Sequence, residues 1–279
     1  LDALPLLLYV LLLTLLAPPL GRAIWRLCDR QPAAATSKLF GRLGIDCREQ
    51  TATSYLAALL WFNALGILLL TLLLMGQHLL PGSYANHPPA WSWHLAFNTA
   101  VSFVTNTNWQ AYSGEASLSY FSQMVGLGVQ NFVSPAVGLA VLVVFCRGIA
   151  RKSTNNLGNF WVDLTRATLY GLLPFCLILA LLLVWQGVPQ TFLDYAHAVT
   201  LQGADQTIPL GPAASQIAIK QLGTNGGGFF GVNSAHPFEN PTAWSNLFEV
   251  ASIILIPVAL LFTFGHYVKD LRQSRALLA

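Results

Sequence analysis

The chain has 279 residues, of which 54% are hydrophobic and only 9% are charged, with a net charge of +3. A soluble domain usually carries about 25% charged residues, so this composition excludes a water-soluble globular domain. The four cysteines form no close pair, which indicates neither a zinc site nor a disulfide framework.

Long apolar blocks predict five transmembrane helices. A helix needs roughly 17 to 25 apolar residues to cross the hydrocarbon core, and each block reaches that length. The blocks are Leu4–Leu20, Tyr55–Leu80, Met124–Ala150, Leu164–Val188 and Leu247–Val268. The first block could be the core of a cleaved signal peptide. A retained anchor is favoured, because Asp2 precedes it and arginines only follow it.

Basic residues indicate how the helices are oriented. Every Lys or Arg except Lys220 follows the first, third or fifth block: Arg22, Arg26, Arg30, Lys38, Arg42, Arg48, Arg147, Arg151, Lys152, Arg166, Lys269, Arg272 and Arg275. Because positive loops stay in the cytoplasm, the N-terminus is expected outside. The loops Pro81–Gln123 and Pro189–Asn246 are then expected to face out.

Each outer loop contains an apolar stretch too short to span a membrane, Trp93–Val104 and Ala213–Leu222. A polar turn follows each one, TNTNW at Thr105–Trp109 and TNGGG at Thr224–Gly228. Aligning the Thr-Asn pairs gives an offset of 119 residues, with apolar helices on both sides. Non-helical backbone, such as that of these turns, is tolerated at membrane depth only where it is buried in protein or lines a water-filled cavity.

These patterns predict an all-α polytopic membrane protein with an N-terminal transmembrane anchor and two parallel helix–pore-loop–helix, channel-like repeats. The expected organisation has three segments. Residues 1–50 hold the anchor and a basic cytoplasmic loop, residues 51–152 the first repeat, and residues 153–279 the second repeat.

The polar turns are the candidate ion-binding site. A half-helix that enters from outside points its carboxyl end, with about half a negative charge, into the membrane, where it attracts cations. Consecutive glycines favour unusual φ values, so that carbonyl oxygens can replace the water around a weakly hydrated cation. The candidate residues are Thr105, Asn106, Thr107, Asn108, Thr224, Asn225, Gly226, Gly227 and Gly228.

Several neighbouring residues have two interpretations. The three asparagines of the turns could brace the backbone through their side chains or offer carbonyls to an ion. Glu115 and Glu239 could concentrate cations at an outer mouth, or be ordinary solvated acids. Lys220 is expected to pair with an acid away from the ion path. His236 is interpreted as a hydrogen-bonding turn residue, and no transition-metal site is expected.

Nucleotide chemistry is disfavoured. Gly226–Gly231 matches G-x-G-x-x-G formally, but no strand precedes it and no helix opens there. No P-loop motif is present in the sequence, and no nucleic-acid partner is expected.

The stretches AFNTAVSFVTNTNWQAYSGE, LSYFSQMVGL with VQNF, AIKQLGTNGGGFF and NSAHPFENPT resemble the KdpA family, the potassium-binding subunits of bacterial Kdp potassium-transporting ATPases. The resemblance implies a K⁺ transporter of a superfamily with four channel-like repeats. It also implies a subunit without catalysis of its own, in the bacterial inner membrane. The implied partners are the ATPase subunit KdpB, KdpC, KdpF and the lipid bilayer, with K⁺ as cargo and no organic cofactor.

That resemblance assigns the filter role to Thr105–Asn108 and Thr224–Gly228. The pair Gly231-Val232 departs from the family's Asn-Ala, beyond the filter core. With only two repeats, the chain is expected to be the N-terminal half of such a protein, and assembly of two copies is the alternative. Two alternative functions are a passive potassium transporter of the Trk or Ktr type and a non-transporting membrane scaffold. A third, a secondary transporter built on inverted repeats, is disfavoured because the two repeats are parallel.

Overall fold

The computed structural model describes residues 3–29, 34–42, 44–80, 89–151 and 155–279. The basic residues Arg30 and Lys152, and residues 81–88 of the first loop predicted to face out, lie outside the described residues.

Helices dominate the described chain. The long apolar helices are α1 (Ala3–Asp29), α3 (Ala52–Met75), α6 (Val129–Ala150) and α10 (Ala243–Tyr267). A π-helical turn at Ser122–Gly128 precedes α6. Another, at Ala167–Leu172, joins α7 (Phe160–Arg166) to α8 (Leu173–Trp185), so that these two form one continuous apolar element. The shorter helices are α2 (Ala34–Arg42), α4 (Trp93–Val104), α5 (Gly114–Ser117), α9 (Ala213–Leu222) and α11 (Leu271–Leu278).

Five membrane spans, as predicted, are confirmed by length and composition among the described residues. The candidate spans are Leu6–Asp29, Ala52–Met75, Ser122–Ala150, Phe160–Trp185 and Ala243–Tyr267. Prolines lie inside several of them, for example Pro135 in α6 and Pro257 in α10. Transmembrane helices tolerate prolines because neighbouring groups satisfy the freed carbonyls. The five spans make the molecule a polytopic membrane protein.

The structure adds one short β-hairpin to the expected all-α architecture, in the loop Pro189–Asn246 that was predicted to face out. Strands β1 (Ala196–Val199) and β2 (Asp205–Ile208) pair antiparallel, with Ala196 opposite Ile208. The intervening turn has Gly203 at φ 79°, a conformation that glycine adopts at low cost. Seven of the eight strand residues are exposed, so the alternation that identifies a half-buried strand in a sequence is absent.

The chain divides into two compact units that do not follow the sequential segments 1–50, 51–152 and 153–279. One unit comprises Leu1–Phe62, Pro135–Pro174 and Val250–Ala279. The other comprises Asn63–Ser134 and Phe175–Glu249, and it contains both polar turns. The sequential boundaries stay a prediction.

The first unit contains a buried ion pair. Arg147 Nη1 lies 2.6 Å from Asp163 Oδ2, and Arg147 Nη2 donates to the carbonyl of Cys28. The Tyr55 hydroxyl donates to the same carboxylate at 3.1 Å. Because both charges are buried, these bonds offset part of the large cost of desolvating them.

The second unit positions the first short helix. Ala96, Ala100 and Phe103 of α4 are fully buried in an apolar cluster with Leu70 and Leu74 of α3. The small alanines permit close packing, and burying one phenylalanine contributes roughly 1.5–3 kcal/mol. Packing on this face therefore fixes α4 and the turn that follows it.

Candidate functional site

Both short helices end where the sequence predicts. α4 begins at the cap Ser92, whose hydroxyl accepts from the Leu95 amide, and it ends at Thr105. The Thr105 hydroxyl donates to the Val101 carbonyl at 2.8 Å. α9 ends at Gly223, whose amide donates to the Ile219 carbonyl at 2.7 Å. Each helix thus presents its carboxyl end to a polar turn.

The turns fold back onto the last residues of their helices. The amides of Thr107 and Asn108 both donate to the Ser102 carbonyl, at 3.0 and 3.2 Å. In the second turn, the Asn225 amide donates to the Lys220 carbonyl at 3.0 Å. These bonds satisfy carbonyls that the last helical turn would otherwise leave unpaired.

The two turns also bind each other. Asn108 Nδ2 donates to the Gly227 carbonyl at 3.0 Å, and Asn106 Nδ2 donates to the Gly223 carbonyl at 3.1 Å. The side chains of Asn106 and Asn225 lie 2.5 Å apart. Two of these contacts, Asn108 with Gly227 and Asn106 with Asn225, join residues separated by the predicted offset of 119. Positions that the sequence alignment of the two turns pairs are therefore in contact.

Exposure alternates in a similar way along the first four residues of each turn. Thr105 and Thr107 are exposed, whereas Asn108 is buried. In the second turn Thr224 and Gly226 are exposed, and Asn225, Gly227 and Gly228 are buried. The hydroxyl oxygens of Thr105 and Thr107 lie 3.2 Å apart. Because Thr105 Oγ1 donates its hydrogen to Val101, its lone pairs can face a cation.

The asparagines do brace the turns, as one interpretation of the sequence proposed. The expectation that all three glycines adopt unusual φ values was wrong. Only Gly226 of the three has a positive φ, 88°. Gly227 is required for a different reason: a Cβ there would overlap the Asn108 carbonyl oxygen. Left-handed backbone occurs instead at Asn106, Asn108 and Thr224, with φ of 63°, 53° and 55°.

Side chains that the sequence analysis did not assign complete this bracing. Gln110 makes two bonds with Gly228, accepting from its amide at 3.1 Å and donating to its carbonyl at 2.9 Å. Asn131 accepts from Asn108 Nδ2 at 2.8 Å, and the Ser134 hydroxyl donates to Asn106 Oδ1 at 2.9 Å. Asn131 and Ser134 are polar residues inside an apolar span, which is a signal that the sequence offered.

The two acids predicted near the turns have different surroundings. Glu115 is half-buried, and its Oε2 accepts from the Gly231 amide at 2.8 Å. Glu239 contradicts both expectations of a solvent-facing acid, because it is fully buried and forms an ion pair with Lys220. The expected pairing of Lys220 with an acid is confirmed. Burial of the Lys220 ammonium requires such a partner.

His236 is a hydrogen-bonding turn residue, as predicted. Its Nδ1 accepts from the Phe238 amide at 3.1 Å, and its ring stacks on Phe230 at a centroid distance of 3.9 Å. Partial burial lowers the pKa of His236 and so favours the neutral form of the ring. No group of three or more His, Cys, Asp and Glu side chains suited to a metal ion occurs in the described part of the chain.

The candidate site thus offers neutral oxygen atoms at the carboxyl ends of two short helices. Hard, weakly hydrated cations favour such ligands. Together with the five spans, these features define a polytopic membrane protein with two paired, oxygen-rich turns.

Comparisons with known proteins agree with that class. The family model described as KdpA, potassium-transporting ATPase A subunit, matches residues 7–279. A potassium-transporting ATPase potassium-binding subunit from Pseudomonas putida is 71% identical over 282 residues, covering 98% of this chain and 50% of that protein. The subunit of the same name from Yersinia pestis strain Pestoides F is 56% identical over 274 residues, covering 97% of this chain and 49% of that protein.

The chain belongs to the KdpA family of potassium-transporting ATPase A subunits. It spans about half the length of the curated relatives it matches. The resemblance drawn from the sequence motifs is confirmed.

Proposed function

We propose that this chain contributes two walls of a selectivity filter that binds K⁺ from outside and passes it to a P-type ATPase subunit. The observation that carries the proposal is the contact between the two polar turns at equivalent positions, Asn108 with Gly227 and Asn106 with Asn225. Equivalent positions that meet in this way are expected around a shared axis. The relatives are named potassium-binding subunits, which supports K⁺ as the ion.

Physical chemistry supports a cation on this axis. Each short helix ends in a turn, so its dipole places about half a negative charge there. The exposed residues Thr105, Thr107 and Thr224 offer hydroxyl and carbonyl oxygens. Gln110 and Asn108 hold the surrounding backbone in place, so the ligand cage is formed before the ion enters. A preformed cage reduces the ordering cost of binding.

A closed filter requires more turns than this chain provides. Two turns cannot surround an ion, and the relatives are about twice as long as this chain. The proposed filter is completed by two further helix–pore-loop–helix repeats in the full-length protein. Two copies of the segment are the alternative means of closing it.

In this proposal the subunit itself does not catalyse ATP hydrolysis. KdpB would supply the P-type ATPase activity, with KdpC and KdpF as further partners in the bacterial inner membrane. High-affinity uptake follows because the pump withdraws ions from the filter. A passive Trk- or Ktr-type transporter would instead carry K⁺ without ATP, and a scaffold would bind no ion.

Isothermal titration of the full-length protein in its complex tests the filter. The proposal expects K⁺ and Rb⁺ to bind more tightly than Na⁺, and Gly227→Asp to reduce that preference. Equal responses to all three ions would support the scaffold. Uptake into vesicles separates the remaining alternatives, because transport that continues without ATP hydrolysis would favour the passive transporter.

The proposed orientation, with the N-terminus outside, has a separate test. An impermeant maleimide added to spheroplasts should label Asp205→Cys in the β-hairpin. It should label the native Cys47, in the basic segment before α3, only after permeabilisation. Labelling of Cys47 in intact spheroplasts would reverse the orientation.

A further inference from the structure

A cluster of three buried charged side chains lies beside the second turn, within the same unit. Lys220 of α9, Glu239 of the following loop and Glu249 of α10 are 1%, 0% and 1% exposed. One ammonium thus faces two carboxyl groups. If all three groups were ionised, the cluster would carry a net buried charge of −1.

Hydrogen bonds join the three groups into one network. Lys220 Nζ and the Ser234 hydroxyl both donate to Glu239 Oε1, the latter at 3.1 Å. Gln221 Nε2 donates to Ser234 Oγ at 2.9 Å and to Glu249 Oε2 at 2.7 Å. Glu239 therefore has the direct ion pair, while the described bond to Glu249 comes from a neutral amide.

One oxygen of each carboxyl group has no hydrogen-bond partner among the described residues. These atoms are Glu239 Oε2 and Glu249 Oε1, and both are shut off from solvent. A buried ionised carboxylate that lacks partners is strongly disfavoured, and such a group normally neutralises by binding a proton. An uncompensated charge here would also lie inside a membrane protein, where water cannot screen it.

We infer that Glu249 is a proton-binding site: its carboxylate takes up one H⁺ at Oε1 and becomes a neutral carboxylic acid beside the Lys220–Glu239 ion pair. Glu249 is chosen over Glu239 because Glu239 already receives the ammonium and a hydroxyl hydrogen bond. A proton is chosen over a metal cation because K⁺ requires several oxygen ligands and space for its own radius. A proton requires only the lone pair of one oxygen.

The protonated group makes the cluster neutral. The charged groups that face Glu249 are Lys220 from α9 and Glu239 from the loop, and they compensate each other. The second short helix then has no excess charge beside it. This inference does not depend on the proposed K⁺ site, because it concerns the protonation of one side chain.

The test compares two isosteric substitutions in the full-length protein within its assembled complex. Gln resembles a protonated Glu, so Glu249→Gln should leave the melting temperature within about 2 °C of the parent. Glu239→Gln should lower it by several degrees and by more than Glu249→Gln, because it removes the partner of the buried Lys220 ammonium. Glu49→Gln, at an exposed ion pair, is the matched control and should change nothing.

Infrared spectroscopy gives a second readout that a merely structural role would not change. The parent at pH 7 should show the carbonyl band of a protonated carboxylic acid, and Glu249→Gln should lose it while Glu49→Gln keeps it. A band that persists in Glu249→Gln would overturn the inference. A Glu249→Gln protein that fails to fold, or melts as low as Glu239→Gln, would also overturn it, because an ionised Glu249 would then be required.

Discussion

Replacing Gly227 by alanine should separate the two polar turns. The added Cβ would overlap the Asn108 carbonyl oxygen and lie 2.9 Å from its carbonyl carbon. Because that contact is with backbone, no side-chain rotation relieves it. Overpacking of this kind costs about 1–3 kcal/mol. Loss of the bond from Asn108 Nδ2 to the Gly227 carbonyl adds about 0.5–1.5 kcal/mol.

The two effects sum to roughly 1.5–4.5 kcal/mol. If the ion-bound arrangement requires both turns in contact, K⁺ affinity should fall by roughly 10- to 2,000-fold. The assay is isothermal titration with K⁺, together with growth of uptake-deficient cells on micromolar K⁺. Gly138→Ala is the control, because no atom lies within contact distance there and alanine favours its helix.

Gly226→Ala separates sterics from backbone conformation. Its Cβ would meet open space, but φ is 88°, so the cost of roughly 1–2 kcal/mol is conformational. It should therefore weaken K⁺ binding less than Gly227→Ala. Parental K⁺ affinity in a stably expressed Gly227→Ala protein would refute the reasoning, because the contact between the turns would then be irrelevant to the ion.

Other contacts give further expectations. Gln110→Ala removes both bonds to Gly228 and should weaken K⁺ binding by about 5- to 150-fold in the same titration, given about 0.5–1.5 kcal/mol per bond; unchanged affinity would exclude a bracing role. Asp163→Asn should destabilise the complex by about 3–5 kcal/mol in thermal melts, because it leaves the buried charge of Arg147 unpaired; a change below about 1 kcal/mol would contradict this cost. Burial raises the pKa of Tyr120 to about 12, so stability present below pH 10 should be lost as pH rises towards 12, and melts of Tyr120→Phe should show a smaller loss than the parent.

The positions of the short helices could be predicted from the sequence because local signals define them. Trp93–Val104 and Ala213–Leu222 are apolar runs that end at Thr-Asn turns, and the helices have those bounds. The five spans follow from length and composition in the same way. Such features depend on neighbouring residues along the chain.

Contacts between distant segments could not be predicted in that way. Glu239 follows the second turn and resembles a surface acid in the sequence, yet it is buried by its ion pair with Lys220. Similarly, Asn106 and Asn108 are left-handed because their side chains bind the other turn, a constraint that no local pattern records. The role of Gly227 depends on the same contact, since its missing Cβ leaves space for Asn108.

The pairing of Asn108 with Gly227 makes the two turns complementary rather than interchangeable. The first turn supplies the side-chain amide of Asn108 to the Gly227 carbonyl, and the second leaves room at Gly227 for the backbone carbonyl of Asn108. Transplanting the first turn into the place of the second would set asparagine against asparagine, and the reverse exchange would set glycine against glycine and leave a void. If the two segments descend from one ancestral hairpin, divergence at this single pair of positions is enough to have made each copy indispensable to the other.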